Sequence, residues 1–262
     1  MHAGRKTPSA QQLLEVAVAA ARAAGQHALN NFDRRHEVFQ RLAHDVKLQL
    51  DLECQAQAAE AIRREFPEHQ FLGEEGGQYT DSADALWIVD PIDGTVNFSH
   101  GLPLWCSSVA VRHAGQMVAG AVFAPMLNQL YTATAAGPAL CNGQPLRVST
   151  TSRMDEAIVL TGIFKDQPLS LKLFAALTRT AQKVRIYGSA ALDLCLLASG
   201  QAEGYFESKI YLWDIAAAGL IAERAGARVE VLERHDALAC RLLASNGLIH
   251  EALKSVICTA SA

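Results

Sequence analysis

The sequence predicts a mixed α and β protein, with an α+β N-terminal half followed by an α/β half. Three observations predict this. Half of the 262 residues are hydrophobic and 19% are charged, which is enough apolar material for a sizeable core; surface scaling lets a chain of this length bury about three-quarters of its unfolded surface. Up to about residue 150, helical stretches give way to segments of β character joined by turn signals. Beyond residue 151, short apolar strands alternate with helical stretches, the pattern of βα units. No Pro/Ser-rich linker, repeat or low-complexity tract separates residues 1–150 from 151–262, so the two halves are expected to pack as a single unit.

The elements follow in order. Residues 10–32 read as a helix whose stripe is Leu13, Leu14, Val16, Ala17, Ala20 and Ala21. A second helix is expected from Asp51 to Phe66, stopped by Pro67. Phe71–Gly73 reads as a short strand running into Glu74-Glu75-Gly76-Gly77, and Ala85–Val89 as a strand apolar on both faces. Ser107–Arg112 and Met117–Phe123 flank a turn at Ala114-Gly115, Leu130–Ala133 continues the β run, and Asn142-Gly143 marks another turn. In the second half, strands are expected at 157–161, 184–187, 205–207 and 228–232, and helices at 170–182, 190–198, 215–224 and 250–258.

Composition excludes several function classes. The formal net charge is −4, so no general basic field attracts nucleic acid. No apolar run reaches the length of a membrane span, and the N-terminus lacks the apolar core of a secretory signal. The six cysteines are scattered with no C-x-x-C pair. They read as buried free thiols of a cytoplasmic protein.

The chemistry concentrates in Trp87-Ile88-Val89-Asp90-Pro91-Ile92-Asp93-Gly94-Thr95-Val96-Asn97-Phe98. A buried strand runs into Asp90, and Pro91 is expected to stop ladder pairing and turn the chain. Asp90 and Asp93 then share a turn, Gly94 lets backbone amides approach a ligand, and Thr95 adds a hydroxyl. Two such carboxylates repel unless a cation lies between them, and an oxygen-only set suits Mg2+ or Mn2+ rather than zinc. The alternative is a solvated Asx-type turn. Glu74-Glu75 also ends a short strand, so neighbouring strands would bring both acidic turns together; adjacent acids on a Gly-rich turn are otherwise simply solvated. Asp214 opens the apolar stretch Ile215–Ile221, either as its N-cap or as a further metal ligand.

W-I-V-D-P-I-D-G-T-V-N-F together with the distant W-D-I-A-A-A-G at Trp213–Gly219 resembles the inositol monophosphatase family of Mg2+-dependent, lithium-sensitive phosphomonoesterases. Phe66-Pro67 through Gly73-Glu74-Glu75, and Gly188-Ser189-Ala190-Ala191-Leu192-Asp193-Leu194, match two further elements, and the resemblance spans roughly residues 10 to 257. It implies a layered α-β-α-β-α sandwich of the inositol monophosphatase and fructose-1,6-bisphosphatase type. It implies that Glu74, Asp90, the Ile92 carbonyl, Asp93 and Asp214 bind two or three Mg2+ ions, Mn2+ being an alternative and lithium an inhibitor. Gly94 and Thr95 would hold the phosphate, and Asp51 paired with Thr95 would activate water, with Glu74 counted in the catalytic set. Ser189, Ala190 and Glu207, together with Asp93 and Asp214, would contact the substrate alcohol.

The implied activity is hydrolysis of a small phosphate ester without a covalent intermediate. Inositol 1-phosphate or a related sugar or polyol phosphate comes first; fructose 1,6-bisphosphate, 3′-phosphoadenosine 5′-phosphate and histidinol phosphate are the alternatives. A regulatory relative contacting RNA or the transcription machinery is the reading from a different class, and the acidic balance opposes direct nucleic-acid binding. The family commonly forms homodimers, for which the region around Trp105 is a candidate contact. Three departures fall away from the acids. Lys47 lies in Val46-Lys47-Leu48-Gln49-Leu50-Asp51 where the family has Val-Thr, and is expected to point into solvent, the alternative being a phosphate contact. The segment Gly162–Asp166 does not match the family's substrate-side loop. Ala225-Gly226-Ala227 lacks the usual double glycine.

Overall fold

The computed structural model describes residues 8–41, 46–78, 80, 83–162 and 167–261. Helix α1 (Ala10–Asn30) begins where Ser9 Oγ accepts from Gln12 N at 3.2 Å while Gln12 Oε1 accepts from Ser9 N at 2.9 Å, a reciprocal cap. Strands β1 (Val38–Arg41) and β2 (Val46–Leu48) pair antiparallel and lead into helix α2 (Gln49–Glu65). Next come β3 (Gln70–Gly73), β4 (Gly76–Gln78), β5 (Ala85–Asp93), the short helix α3 (Thr95–Ser99), β6 (Cys106–His113), β7 (Gln116–Ala124), β8 (Gln129–Thr134), β9 (Leu140–Cys141) and β10 (Gln144–Pro145). Apart from β1 and β2, these strands form one eight-stranded sheet in the order β10-β9-β8-β7-β6-β5-β3-β4, in which only β3 and β5 run parallel. Both expected turns are present, with Ala114, Gly115, Asn142 and Gly143 all in the left-handed region that a two-residue hairpin turn requires.

The second half contains β11 (Ile158–Thr161), α4 (Gln167–Thr180), β12 (Lys183–Arg185), α5 (Ala190–Ala198), β13 (Gly204–Tyr211), α6 (Leu212–Arg224), β14 (Arg228–Arg234), β15 (Ala239–Ser245) and α7 (His250–Ser261). Its sheet has the order β12-β11-β13-β15-β14, parallel at β12-β11-β13 and antiparallel beyond.

Side-chain alternation explains the layers. On β5, Trp87 and Val89 pack with the small-residue face of α1 and with α2, through Ala17, Ala24, Cys54 and Ala58. Leu86 and Ile88 point the other way, toward Leu192, Cys195, Ala217 and Ile221 of α5 and α6. Those two helices are also covered by Tyr205, Leu242 and Ala244 of the second sheet. Its far face, through Val159, Phe206 and Leu243, is closed by Leu173 and Leu177 of α4 and Leu253 and Ile257 of α7. The result is the α-β-α-β-α sandwich, with α5 and α6 as its middle layer. Helix α6 can lie close to β7 because Gly120 has no side chain: a Cβ there would sit 2.9 Å from Ala217 Cα.

Two expectations are corrected. Strand β5 does not stop at Pro91 but pairs through to Asp93. Helix α6 begins at Leu212, so Asp214 is its third residue and Tyr211 its N-cap. The Trp105 side chain itself is fully buried, edge-on to Phe98 with ring centroids 4.9 Å apart, so any contact made by this region falls to exposed residues such as Leu102, which is half exposed. Strands β1, β2, β4 and β15 were not expected from the sequence.

Candidate active site

The site begins with a bulge. Asp90 faces Ser108 and Asp93 faces Cys106, leaving Pro91 and Ile92 together opposite Ser107. In a regular strand, residues three apart point to opposite faces; the extra residue puts both carboxylates on one face. The irregular backbone groups are satisfied locally. Ser107 Oγ donates to the Pro91 carbonyl at 2.6 Å, and Ile92 N donates to Asp90 Oδ1 at 3.0 Å. Proline suits the bulge because the ladder needs no N–H from it.

The chain then turns at Gly94, with φ 90° and ψ 38°. A Cβ there would lie 2.9 Å from the Leu104 carbonyl oxygen and 3.2 Å from that of Gly188, so conformation and space both favour glycine. Thr95 donates its hydroxyl to the Ile92 carbonyl at 2.9 Å, and Asn97 Nδ2 donates to the carbonyls of Leu104 at 2.7 Å and Tyr187 at 2.6 Å. The Asn97 bonds tie this turn to the segment that leads into α5.

Asp93 receives the first turn of α5. Its Oδ2 accepts from Ser189 Oγ at 2.6 Å and Ala191 N at 2.8 Å, and its Oδ1 from Ala190 N at 3.2 Å. The Cys106 thiol adds a 3.6 Å contact to Oδ2. A carboxylate is well placed at the positive end of a helix, so Asp93 works as a cap supplied from another element. Ser189 is accordingly buried, with its hydroxyl directed at Asp93.

Asp51 and Asp214 reach the site by a shared device. Each is the third residue of its helix, and each accepts from the backbone N–H of the residue ahead of that helix: Leu48 N to Asp51 Oδ2 at 2.6 Å, and Tyr211 N to Asp214 Oδ2 at 2.9 Å. This is the acid half of a capping box. Asp51 Oδ1 is buried and has no hydrogen-bond partner. The single Thr95 proton goes to Ile92, so Asp51 and Thr95 are not directly hydrogen-bonded here. Glu74 follows β3, the parallel neighbour of β5 with Gly73 opposite Val89, and its N–H donates to the Val89 carbonyl at 3.1 Å. Both acidic turns therefore leave adjacent strands at the same end of the sheet.

Asp90, Asp93 and Asp214 each offer a carboxylate oxygen within 4.8 Å of the other two. Burial pushes the Asp90 carboxyl well above the usual carboxylate range, and the charges of Glu74, Asp93, Asp214 and Asp51 add to it. Burial also raises Asp93, against the opposing hydrogen bonds from Ser189, Ala191 and Ala190. For Asp214 burial comes first and the charge of Asp93 second. No basic side chain stands among the leading influences on these three groups. Three converging hard oxygen donors, beside the orphaned Asp51 oxygen, fit a divalent ion such as Mg2+.

Glu207, on β13, is near enough to feel the Asp93 charge. Burial and the Asp93 charge push its carboxyl up to about 8. It rests against Gly162, where a Cβ would come 1.9 Å from Glu207 Oε1. Nearby Asp193 and Tyr205 are buried, each with a side-chain oxygen lacking a hydrogen-bond partner. Residues 163–166, part of the departing segment after β11, lie outside the described residues.

Sequence reasoning missed several contributors. Gly162 gave a visible signal, a glycine ending a buried strand. Gln55, which fixes the acidic turn by accepting from Glu75 N at 3.0 Å, and Cys106 gave none. Lys47 does not point into solvent: its Nζ lies 2.7 Å from Glu75 Oε1 with most of its side chain covered.

The model of the inositol monophosphatase family matches residues 9–262. Among curated proteins, the chain is 35% identical to the chloroplastic phosphatase IMPL1 of Arabidopsis thaliana, across 97% of this chain and 72% of that one. It is 39% identical to the Nus factor SuhB of Haemophilus influenzae, across 83% and 84% respectively. Among solved structures, the inositol monophosphatase of Anabaena superposes with a TM-score of 0.85 at 33% identity, covering 95% of this chain and 96% of that one.

Proposed function

The chain belongs to the inositol monophosphatase family and is a phosphoric monoester hydrolase; on that premise we propose that it hydrolyses inositol 1-phosphate or a related sugar or polyol phosphate. The observation that carries this reading is the convergence of Asp90, Asp93 and Asp214 from β5 and α6 within 4.8 Å, the first two buried and Asp214 partly buried. Asp90, Asp93 and Asp214, with Glu74 and the Ile92 carbonyl, are the residues proposed to hold two or three Mg2+ ions; Mn2+ would substitute and lithium would inhibit. When bound, Mg2+ would neutralise charge on the phosphate and lower the pKa of water.

The protein's own groups divide the remaining work. The backbone N–H groups of Gly94 and Thr95 receive the phosphate. Asp51, with one oxygen already capping α2 and the other unpaired, takes the proton of the attacking water. Water adds to phosphorus as the ester P–O bond breaks, and the leaving oxygen takes a proton from solvent water, yielding the alcohol and inorganic phosphate with no phosphoenzyme. Ala190 and Glu207 face the alcohol, and Ser189 acts by holding Asp93. Burial and the Asp93 charge favour the protonated form of Glu207, which can donate a hydrogen bond to a hydroxyl. A polyol offers such hydroxyls.

Residues 1–150 and 151–262 are proposed to act as one catalytic unit, since Asp93 and Asp214 come from different halves. A homodimer and a cytoplasmic location complete the reading. No described helix is long and apolar enough to cross a membrane. A regulatory role, suggested by the name of the Haemophilus relative, is the competing outcome.

Phosphate release from inositol 1-phosphate, fructose 1,6-bisphosphate, adenosine 3′,5′-bisphosphate and histidinol phosphate, with and without Mg2+, tests the proposal. Mg2+-dependent release with inositol 1-phosphate preferred supports it. Preference for another ester moves the substrate class. Absence of release from all four, with no effect of Mg2+ on melting, would overturn the catalytic reading and favour the regulatory one.

A further inference from the structure

Strand β2 alternates in the ordinary way. Val46 and Leu48 are buried under α1 and α2, so the residue between them, Lys47, projects from the opposite face. It does not run out into solvent. Its ammonium meets Glu75 at 2.7 Å, with the Lys47 side chain 24% exposed and that of Glu75 only 8%. Glu75 is itself held: Gln55 of α2 accepts from Glu75 N at 3.0 Å and donates to the Gly76 carbonyl at 3.0 Å, clamping the turn against the helix that carries Asp51. Burial alone would lower the Lys47 pKa, yet the Glu75 hydrogen bond and the charges of Glu75, Glu74 and Asp51 leave it raised. A fixed positive charge therefore stands at the Glu74–Asp51 end of an acidic site whose other end, Asp90, Asp93 and Asp214, is the compact group of oxygen donors.

We propose that Lys47 is a built-in cation of the metal site, which occupies electrostatically the Glu74–Asp51 end and so weakens divalent-ion binding there. The inference rests on the reading of these acids as Mg2+ ligands and adds to it a residue that sets the Mg2+ concentration the protein needs. A positive charge beside the same acids opposes a bound dication, and even a largely screened repulsion changes its affinity by about ten-fold. The pair with Glu75 tunes the effect: removing Lys47 leaves the site one charge more negative, and removing the Glu75 charge leaves it one charge more positive.

Calorimetric titration of the full chain with Mg2+ tests this without reference to turnover. Lys47→Met, which keeps the aliphatic stem, is expected to bind Mg2+ about ten-fold more tightly in at least one site. Lys47→Arg should match the wild type, and Glu75→Gln should bind more weakly by a similar factor. Equal affinities, within two-fold or so, for the wild type, Lys47→Met and Glu75→Gln would overturn the inference and leave Lys47 a structural ion pair. Should Lys47→Met not fold, Glu75→Gln decides alone: weaker binding supports the inference and unchanged binding overturns it. A wild type that neither binds Mg2+ by calorimetry nor melts at higher temperature in its presence would overturn the underlying metal reading, a distinct result from equal affinities.

Discussion

Ser189 Oγ donates to Asp93 Oδ2 across 2.6 Å, joining residues 96 positions apart in the chain. The bond fastens the acidic turn of the first sheet to the first turn of α5 in the middle layer. It is charge-assisted and buried, so it counts for more than an exposed hydrogen bond.

Ser189→Ala should therefore lower both stability and catalysis, since Asp93 keeps only its backbone donors from α5 and the Cys106 contact. Losing a buried bond to a charged group costs about 1.5–3 kcal/mol. The expected outcome is a fall of several degrees in metal-free Tm and about a ten-fold fall in kcat/KM for phosphate release. Unchanged kcat/KM would show that the backbone donors suffice to position Asp93.

Asp90→Asn separates function from stability in opposite directions. The substitution removes a buried charge that Glu74, Asp93, Asp214 and Asp51 all repel, so the metal-free variant should melt above the wild type. Mg2+ at about 100 times its Kd adds about 2.7 kcal/mol to a protein that binds it only when folded. That increment should be present in the wild type and absent in Asp90→Asn. Thermal melts in EDTA and in excess Mg2+ measure both effects.

The pH dependence of stability should report Glu207. Its folded pKa, about 8, lies above the ordinary 4.5, so between those values the folded protein holds a proton that the unfolded chain has released. Stability contributed by this group is full below about 4.5, declines as pH rises through the window, and is flat above about 8. Metal-free Glu207→Gln should lack that decline and gain on the wild type as pH increases. Parallel Tm-versus-pH curves for the two proteins would contradict this.

Gly94→Ala tests the turn. The new methyl would meet the Leu104 carbonyl oxygen at 2.9 Å with φ at 90°. A cost of about 2 kcal/mol or more is expected from conformation and contact together, read as a lower denaturant midpoint and as loss of phosphate release even at saturating Mg2+.

The acids were legible in the sequence because their signal is local. Asp90 and Asp93 close a run of apolar residues and Glu74 follows another, and parallel pairing of β3 with β5 brings the two acidic segments together as expected. Asp214 read as either the N-cap of an apolar helix or a further metal ligand; the structure starts α6 at Leu212, so Asp214 is not the N-cap. Strand β15 was hidden by Arg241, whose charge is met from the neighbouring strand by Glu233 at 3.2 Å. Lys47 and Glu75 lie far apart in the chain and meet only through the packing of α2 and β3, so no periodicity could pair them. Burial of Trp105 was not legible either, because Phe98, delivered by α3, gives it a partner inside the core.

The bulge at Pro91-Ile92 has a consequence for how this chain can vary. It is a parity device: it turns an odd spacing between Asp90 and Asp93 into an even one across the sheet. One further residue between them, with the bulge retained, would swing one carboxylate through the sheet to the side of α1 and α2, into apolar packing. Deleting Ile92 together with the bulge would keep both acids on one face but remove the N–H that Asp90 accepts at 3.0 Å and the carbonyl that receives Thr95. Length changes in the surrounding loops carry no such penalty, so insertions and deletions should be tolerated there and excluded from these four residues.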